Sequence, residues 1–210
     1  MTTTARDTYH HGDLRQALLA AGIELARAGG PDAVVLREAT RRVGVSPNAA
    51  YRHFSDREAL LADVCDAAQA ALAAAIDEEF AAIPEGDPAE TARAQLRAVG
   101  TAYVAFALDE PGLFRTAFSV PTDLAGAALP TRAGPSGRTP FELLTGALDA
   151  FVASGIMPPE RRPQAEFLAW SSVHGLSMLL IEGPLRALPR AQADAVTQRV
   201  IDMVEAGFTA

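Results

Sequence analysis

Several features that mark other protein classes are missing from this sequence or scarce in it. Its one cysteine, Cys65, cannot form an internal disulfide, which fits a reducing compartment. The N-terminal residues contain no apolar run like the core of a signal peptide, so secretion is not expected. The longest apolar run without a charge, residues 167–181, is shorter than the roughly 20 residues that cross a bilayer. We therefore expect a cytoplasmic protein with no membrane partner.

Aromatic residues are also few, at 6% of the 210 residues, while hydrophobic residues make up 49% and charged residues 21%. These proportions are ordinary for a globular protein that can bury a sizeable core, and the abundance of alanine favours helices. Lysine is absent, so all 18 basic residues are arginines, but this absence predicts no function by itself. The composition predicts an all-α fold.

The net charge of −8 argues at first against a nucleic-acid partner, because phosphate binding needs arginine or lysine. The charge is unevenly distributed, however. Residues 1–60 carry eight arginines against seven acidic residues, and the stretch 37–57 carries five against two. The remainder of the chain holds the whole acidic excess. This asymmetry would let one end of the molecule approach DNA while the other end repels it.

The first predicted helix is amphipathic, with apolar residues at spacings of three and four. Asp13 opens it, and Gln16 follows three residues later as in a capping box. The Gly-Gly-Pro sequence at 29–31 ends it, because glycine and proline interrupt helical hydrogen bonding.

Two further short helices meet at a glycine. The first is predicted over 36–43, and Gly44 then supplies the left-handed stop that a tight turn needs. Ser46 can cap the next helix, predicted over 47–54, and proline suits its first position. Two short helices joined by a glycine-containing turn are typical of a helix-turn-helix unit.

The remaining chain predicts a larger helical unit. A long helix starts at Asp56 and ends before Pro84. Further helices are predicted over 89–108, 111–118, 141–154, 163–185 and 190–208. The proline- and glycine-rich segment 120–140 is too long for a simple turn, and we expect it to be a mobile connection. We divide the chain into a three-helix DNA-binding domain, 1–55, whose first ten residues form a flexible arm, and a regulatory domain, 56–210.

The predicted third helix would be the part that reads DNA. In a helix-turn-helix unit the second helix enters the major groove with its N-terminal residues towards the base edges. Four apolar side chains would face inward and lock the two helices together: Val43, Val45, Ala50 and Phe54. The outward positions are then Pro47, Asn48, Ala49, Tyr51, Arg52 and His53. Packing of the Tyr51 and His53 rings into a small core is the alternative.

The outward residue types suit two kinds of contact. Asn48 can pair bidentately with adenine, and Pro47 or Ala49 can touch a thymine methyl group. Contacts to phosphate fix the register without reading sequence. The residues better placed for phosphates are Arg37, Tyr51, His53 and Arg57.

At this point the sequence resembles the tetracycline-repressor (TetR) family of bacterial transcriptional regulators. The resemblance rests on residues 36–61, LREATRRVGVSPNAAYRHFSDREALL, which follow the family signature of Gly-Val-Ser, a Tyr-x-His-Phe box and a basic residue before Glu-x-Leu-Leu. It implies base contacts from Arg37, Pro47, Asn48 and Ala49, and phosphate contacts from Tyr51, His53 and Arg57. Arg52 and Ser46 lie on the same predicted DNA-binding surface.

The sequence departs from the family pattern at the second helix. Val35 stands where the family often has serine or threonine, and valine can neither cap the helix nor touch a phosphate, a loss of about 1 kcal/mol in capping. Ala39 and Thr40 replace a larger aliphatic residue and an alanine, which predicts looser packing of this helix. Two other segments, YHHGDLRQALLAAG at 9–22 and WSSVHG at 170–175, look like a subgroup with a Trp-x-x-x-His-Gly ligand domain.

The resemblance also implies a homodimer and a ligand pocket. In this family the last two long helices usually pack against those of a second copy, and the earlier of the two turns one face to the pocket. The implied pocket residues are Tyr103, Phe106, Phe114, Phe118, Trp170, His174 and Met178. Plain core packing is the alternative for the aromatic residues, and a hydrogen-bonded interior histidine is the alternative for His174.

Other chemistry finds little support in the sequence. His10, His11 and Asp13 could be read as metal ligands, but adjacent histidines diverge and no partner cluster is visible, so an arm near DNA or a plain lead-in is preferred. Cys65 is interpreted as a buried small side chain rather than a redox switch. A hydrolase using Cys65 or a cluster of Ser171, Ser172 and His174 is the enzyme alternative. No cofactor is expected.

The sequence therefore predicts a DNA-binding transcriptional regulator that acts as a repressor. It would bind a roughly palindromic double-stranded operator, and an unknown small molecule would release it. Two reading units in a homodimer would enter successive major grooves. A constitutive DNA-binding protein without an inducer is the other reading.

Overall fold

Residues 11–209 are described by a computed structural model, with side chains from residue 14 onward. Within that range the chain forms ten α-helices and no strand, which confirms the predicted all-α fold. The helices are α1 (His11–Gly29), α2 (Leu36–Val43), α3 (Pro47–Ala50), α4 (Arg57–Ala81), α5 (Pro88–Asp109), α6 (Pro111–Ala117), α7 (Leu124–Ala127), α8 (Pro140–Ala153), α9 (Ala165–Ile181) and α10 (Arg190–Thr209).

The first two helices have the ends that the sequence predicts, with one difference. Helix α1 ends at Gly29 and Gly30 follows with a φ of 75°, but the helix begins two residues before Asp13, whose side chain lies outside the described part. Helix α2 spans the predicted residues. Val35 stands at its N-cap without a side-chain hydrogen bond, and Gly44 ends it in the left-handed region at a φ of 76°.

Helix α3 is shorter than predicted. Regular α-helical hydrogen bonding ends at Ala50, where 47–54 was expected to be one helix. The carbonyl of Ala50 then accepts from the amide of His53, three residues on, and from that of Phe54, four residues on, so one mixed 3-10 and α-type turn follows the helix. Ser46 occupies the expected N-cap position, yet its hydroxyl makes no capping hydrogen bond, so the predicted side-chain cap is wrong.

A small hydrophobic cluster, here called the N-terminal core, holds the first helices together. It is formed by Leu18, Leu25, Ala26, Val34, Leu36, Ala39, Ala50, Phe54, Leu60, Leu61, Val64, Ala68, Leu113 and Ala117. Its members come from α1 to α4 and also from α6. Thr40 is buried beside it and donates its hydroxyl to the carbonyl of Arg37, so this side chain is satisfied within α2.

A second cluster, the C-terminal core, is larger and is built from α4, α5, α6, α8, α9 and α10. Helix α4 belongs to both cores, with Leu60 and Val64 in the N-terminal core and Leu72 and Ile76 in the C-terminal core. Across residues 11–209, α4 alone is long and apolar enough to cross a membrane by length and composition. It packs against α1, α5, α6 and α8, so its apolar side chains belong to a core helix.

The segment between α6 and α8, expected to be a mobile connection, contains α7 and a 3-10 turn at Pro130–Arg132. This turn packs against α4. The hydroxyl of Thr131 and the guanidinium of Arg132 both donate to the carboxylate of Asp66, and the amide of Ser136 donates to Asp77. These bonds fix the second half of the segment to α4, which sequence periodicity could not reveal.

Helix α9 is shorter at both ends than the predicted 163–185. It starts after Gln164, a residue in the left-handed region at a φ of 65°. It ends at Ile181, because the amides of Glu182 and Gly183 both return to the carbonyl of Met178 and Pro184 follows. The other long helices match their predicted bounds to within a residue or two.

Candidate functional site

The surface around α3 is exposed and polar. Pro47, Asn48, Arg52 and Arg37 are exposed, Tyr51 is 58% exposed, and Ala49 and His53 are half-buried. Within residues 14–209, the side chains of Arg37, Asn48, Tyr51 and Arg52 have no hydrogen-bond or ion-pair partner. The alternative in which Tyr51 packs into the core is therefore wrong. This surface, of Arg37 and residues 46–53, is called the reading surface below.

Arg57 makes contacts within the chain that the sequence does not predict. Its Nε atom donates to the carbonyl of Val34 at 2.9 Å and its Nη2 atom donates to the carbonyl of Pro31 at 2.7 Å. Two of its three nitrogens therefore hold the start of α4 to the turn before α2. These bonds stabilise the unit itself, and the predicted phosphate contact of Arg57 stays a prediction.

The charge near the reading surface is partly neutralised within α2. Arg41 and Arg42 both donate to Glu38, and the hydrogen bond from Arg41, followed by that from Arg42, lowers the pKa of this carboxyl group to about 2. The positive charge that remains without a described acidic partner in this region belongs to Arg37 and Arg52. The local excess of arginine is thus smaller on the surface than in the sequence.

The reading surface is supported from below by Phe54. Its ring is almost fully buried in the N-terminal core, and the guanidinium carbon of Arg15 lies 4.6 Å from the ring centroid. Val43, Val45 and Ala50, which the sequence assigns to the inward face, also pack in this core. The side chains predicted to face inward therefore do so, whereas Ala49 and His53, predicted to be outward, are half-buried.

A cavity of about 290 Å³ lies within the C-terminal core, between α4, α5, α8, α9, α10 and the segment after α6. Its walls are mostly apolar, with a few polar side chains. The lining residues are Gln69, Ile76, Leu96, Val99, Gly100, Tyr103, Ala117, Phe118, Val120, Pro121, Thr122, Ala127, Arg132, Pro140, Phe141, Leu144, Ala169, Trp170, Val173, Ile201 and Val204. Its size is at the small end of the usual range for ligand pockets, about 300–1,000 Å³.

Three of the seven residues predicted for a pocket line this cavity: Tyr103, Phe118 and Trp170. The other four, Phe106, Phe114, His174 and Met178, lie outside its lining. Phe114 is fully buried and stacks on the ring of His174, with centroids 5.6 Å apart, so both fill the core behind the wall. Phe106 and Met178 are partly buried against the same core.

His174 and Trp170 meet at the hydroxyl of Tyr103. The indole Nε1 donates to this oxygen at 3.0 Å, and the oxygen lies 2.8 Å from Nδ1 of His174. Burial lowers the pKa of His174 and raises that of Tyr103, so the neutral forms are favoured. In that state Tyr103 accepts from Trp170 and shares a hydrogen bond with the imidazole of His174, so this is the interior, hydrogen-bonded histidine that is one of the two interpretations of the sequence.

Sequence reasoning missed two polar residues of the cavity wall, Gln69 and Arg132. Gln69 is buried on α4, and its amide nitrogen donates to the carbonyl of Ala117 at 2.9 Å. A lone glutamine inside the apolar stretch of α4 was a usable signal. Arg132 lies in an irregular segment, where no periodicity distinguishes a buried position from an exposed one.

The groups considered for enzyme chemistry are engaged elsewhere. The hydroxyls of Ser171 and Ser172 both donate to the carbonyl of Leu168 in their own helix, while His174 pairs with Tyr103. The thiol of Cys65 is buried and donates to the carbonyl of Ala117 at 3.1 Å, and burial raises its pKa. His10 and the side chains of His11 and Asp13 lie outside the described residues. The part of the chain that is described contains no cluster of metal-binding side chains.

Two contacts join the cavity to the N-terminal core. Helix α4 carries Gln69 on the cavity wall and Arg57 at its start, against the carbonyls that precede α2. Helix α6 docks on α1 so closely that a Cβ atom at Gly112 would lie 2.2 Å from the carbonyl oxygen of Ala26. Beside this contact, Arg27 of α1 donates to Glu110 at the start of α6. Helices α4 and α6 therefore connect the cavity domain directly to the N-terminal core.

Several solved structures have a similar fold. A protein of unknown function from Rhodococcus sp. RHA1 is 28% identical with a TM-score of 0.74, over 98% of this chain and 100% of that chain. A regulatory protein in the tetR family from Rhodococcus RHA1 is 20% identical with a TM-score of 0.58, over 94% and 97% of the two chains. A TetR variant from Acinetobacter baumannii AYE, in complex with minocycline, is 21% identical with a TM-score of 0.59, over 96% and 97%. No curated protein sequence matches this chain.

Two family models match the sequence directly. The model described as bacterial regulatory proteins, tetR family, matches residues 18–64, from the middle of α1 to the first turns of α4. The model described as tetracyclin repressor-like, C-terminal domain, matches residues 96–204, which is more than half of the chain and includes much of the cavity wall. With a helix-turn-helix unit and a cavity domain both matched in the expected order, the chain belongs to the TetR family.

Proposed function

We propose that this TetR-family transcriptional regulator is a ligand-responsive repressor that binds DNA as a homodimer. The observation that carries the proposal is the pairing of two features on one helix. Helix α4 starts beside the exposed reading surface and continues into the wall of a mostly apolar cavity. A regulator needs both parts and a rigid connection between them, whereas a constitutive DNA-binding protein needs only the first.

The proposed contacts with DNA follow the exposure of the side chains. Asn48 and Pro47, at the start of α3, would contact base edges together with Arg37 and Ala49. Tyr51, His53 and Arg52 would contact phosphates on the double-stranded operator. Ser46 precedes α3 and is exposed on the same surface, while Arg57 would hold the unit in shape.

The dimer is proposed to form through α9 and α10. One face of α9 exposes Leu168, Ser171, Gly175 and Leu179, at spacings of three and four, with Leu168 62% and Leu179 44% exposed. Nothing lies within 4 Å of a Cβ atom placed at Gly175. Small residues between two leucines let another helix approach closely, and apolar side chains at this spacing favour a helical partner. Met203 is similarly exposed on α10.

Two such reading surfaces in one dimer would enter successive major grooves, about 34–36 Å apart, on a roughly palindromic operator. A small molecule in the cavity would shift α4 and change this spacing. It can do so only to the extent that it binds the non-DNA-binding conformation more tightly. The minocycline complex of the Acinetobacter TetR variant supports a small-molecule effector for this chain, without identifying it. A cytoplasmic location and the lack of enzyme activity belong to the same proposal.

The DNA-binding part is tested with the double substitution Tyr51→Ala and His53→Ala. A binding site is first selected from random duplexes with the wild-type protein, and affinities are then measured by fluorescence anisotropy. We expect a loss of at least about 100-fold, because two phosphate contacts are removed, with the melting temperature and dimer unchanged. Arg186→Ala, exposed beyond α9, is the matched control and is expected to bind normally. Equal affinity of the double variant would contradict the assigned surface.

The dimer is tested separately by replacing Leu168 and Leu179 with glutamate. Buried carboxylates at an apolar helix interface are strongly unfavourable, so we expect the variant to sediment as a monomer and to lose cooperative operator binding. Replacing Leu124 and Leu129, two similarly exposed leucines outside α9 and α10, is the control. If the α9 variant remains a dimer while the control variant becomes a monomer, the interface is not formed by α9.

A further inference from the structure

The cavity wall carries one charged side chain. Of the residues that line it, Arg132 alone is charged, and the others are apolar or neutral. Arg132 is only 4% exposed, so it lies in the protein interior, where its charge is countered by an ion pair with Asp66. The acidic residue nearest to it along its hydrogen bonds, Asp66, is not part of the lining.

Part of the guanidinium is satisfied and part is not. The Nε atom donates to Oδ1 of Asp66 at 2.7 Å, while the other carboxylate oxygen accepts the hydroxyl of Thr131 at 2.6 Å. The Nη1 atom is buried and has no hydrogen-bond partner within the described residues. Most buried polar atoms in proteins are hydrogen-bonded, so the unpartnered Nη1 shows that the guanidinium of this cavity-lining residue has hydrogen-bonding capacity that the described residues do not use.

The residues that line the cavity indicate which chemical group would accept a hydrogen bond from Arg132. The free donor belongs to a cation, and the lining residues supply no opposing acidic group. A planar guanidinium matches a carboxylate in geometry as well as charge. The remainder of the cavity is apolar, with Ile76, Leu96 and Leu144 among its walls. A ligand that satisfies all of these surfaces has an acidic head and an apolar body small enough for about 290 Å³.

We propose that the effector is a small, largely apolar carboxylic acid whose carboxylate pairs with Arg132. The proposal rests on the proposed function, because it names the class of ligand for the same cavity. It also assigns a route for the signal. The partner of Arg132 is Asp66 on α4, so an acid that shares the guanidinium changes a contact of the helix that starts at the reading surface.

The chain contains its own reporter for this test. Trp170 is its one tryptophan and lines the cavity, so its fluorescence responds to a bound molecule. The purified full-length chain is titrated with hexanoate, octanoate, decanoate and dodecanoate, and with the alcohols and methyl esters of the same chain lengths. We expect saturable binding of at least one acid, at least about tenfold tighter than its alcohol or ester. Equal affinities of acid and alcohol, or no saturable change with any acid, would overturn the proposal.

Substitutions separate Arg132 from general effects of charge. Arg132→Met should reduce affinity for the best acid at least about tenfold and remove its advantage over the alcohol. Arg138→Met, at an exposed arginine of the same segment outside the cavity, should leave both affinities unchanged. If Arg132→Met does not fold because Asp66 loses its partner, the double variant with Asp66→Asn replaces it. Retention of the acid preference without Arg132 would also overturn the proposal.

The result is independent of DNA binding. All titrations use the protein without DNA, and affinity for the selected operator is measured in parallel. Discrimination between acid and alcohol without any operator binding would contradict the proposed function and leave the ligand class standing. Operator binding without discrimination between acid and alcohol would support the proposed function and overturn the proposed ligand class.

Discussion

In the N-terminal core, α1 to α4 close around fully buried side chains such as Leu18, Leu60 and Phe54. In the C-terminal core, residues of seven helices, α4 to α10, line a cavity of about 290 Å³. Among the described residues, the first unit buries no charged side chain, and Asn48 and Tyr51 lie on its surface. The second places a polar group inside, at Arg132.

This difference follows from what each unit is proposed to bind. A DNA duplex is larger than the domain and can only be met by an outer surface, so the core behind that surface can pack fully. A small molecule is enclosed, so its site must interrupt the packing of a core. Helices α4 and α6 contribute residues to both cores, so the fully packed core and the core with a cavity are joined by the same two helices.

The largest expected effect is at the joint between the two units. In Gly112→Ala the added methyl group would lie 2.2 Å from the carbonyl oxygen of Ala26, a backbone atom that cannot rotate away. Helix α6 must then separate from α1, and we expect a loss of about 3–5 kcal/mol in the free energy of unfolding, measured with urea. Gly207→Ala, where the Cβ atom meets open space, should be neutral or stabilising by up to about 1 kcal/mol. Equal stabilities of the two variants would show that the docking is loose.

The next comparison tests the packing of the two cores. Leu60→Ala removes a fully buried side chain from the closed core, and we expect a loss of about 3 kcal/mol. Leu96→Ala removes a side chain that already borders the cavity and has fewer contacts to lose, and we expect about 1.5 kcal/mol. Urea unfolding measures both. A larger loss at Leu96 would mean that the cavity wall is as tightly packed as the N-terminal core.

Filling the cavity should separate ligand binding from stability. Ala169→Leu adds apolar atoms to the wall, and we expect the unfolding free energy to change by no more than about 1 kcal/mol. Binding of acids, followed by Trp170 fluorescence, should be lost, while affinity for the operator stays within about twofold. Ala153→Leu adds the same atoms at an exposed position of α8 and should retain the response. A filled variant that still binds acids normally would place the ligand elsewhere.

The smallest expected effect is a pH dependence of the C-terminal core. Burial lowers the pKa of His174 below its ordinary value of 6.5, so the unfolded chain binds this proton at a higher pH than the folded chain. The contribution of His174 to the free energy of unfolding is therefore fully present above pH 6.5. It is lost as the pH falls from 6.5 towards the pKa of His174 in the folded chain. Urea unfolding of the wild type and of His174→Gln, compared across this window, isolates the contribution. An identical pH profile for the two proteins would exclude it.

The reading surface was largely predictable because its signals are local. Gly44 adopts a positive φ, and Pro47 suits the first helical position. The apolar residues that face inward end at Phe54, only a few residues after Gly44 and Pro47. These preferences act along the chain, so the sequence reveals them directly. The role of Arg57 was not predictable, since the carbonyls that it binds lie 23 and 26 residues away and nothing in the local pattern brings them together.

The cavity was much less predictable from the sequence than the reading surface. Aromatic and apolar residues at helical spacing predict burial, but whether a buried ring faces a neighbour or an empty space depends on where other helices stop. Phe114 and Phe118 are four residues apart on the same region of the chain, yet only Phe118 reaches the lining. The partial match between the predicted and observed pocket has this cause.

From the sequence alone came the helical fold, the glycine turn, the outward face of α3 and the family resemblance, all properties of short contiguous segments. The tertiary structure decided that Arg57 braces the unit, that His174 is held by Tyr103, and that an arginine from an irregular segment enters the interior beside α4. Local patterns determine which residues prefer to be buried. Only the packing of distant helices determines which of them meet, and where the core remains open.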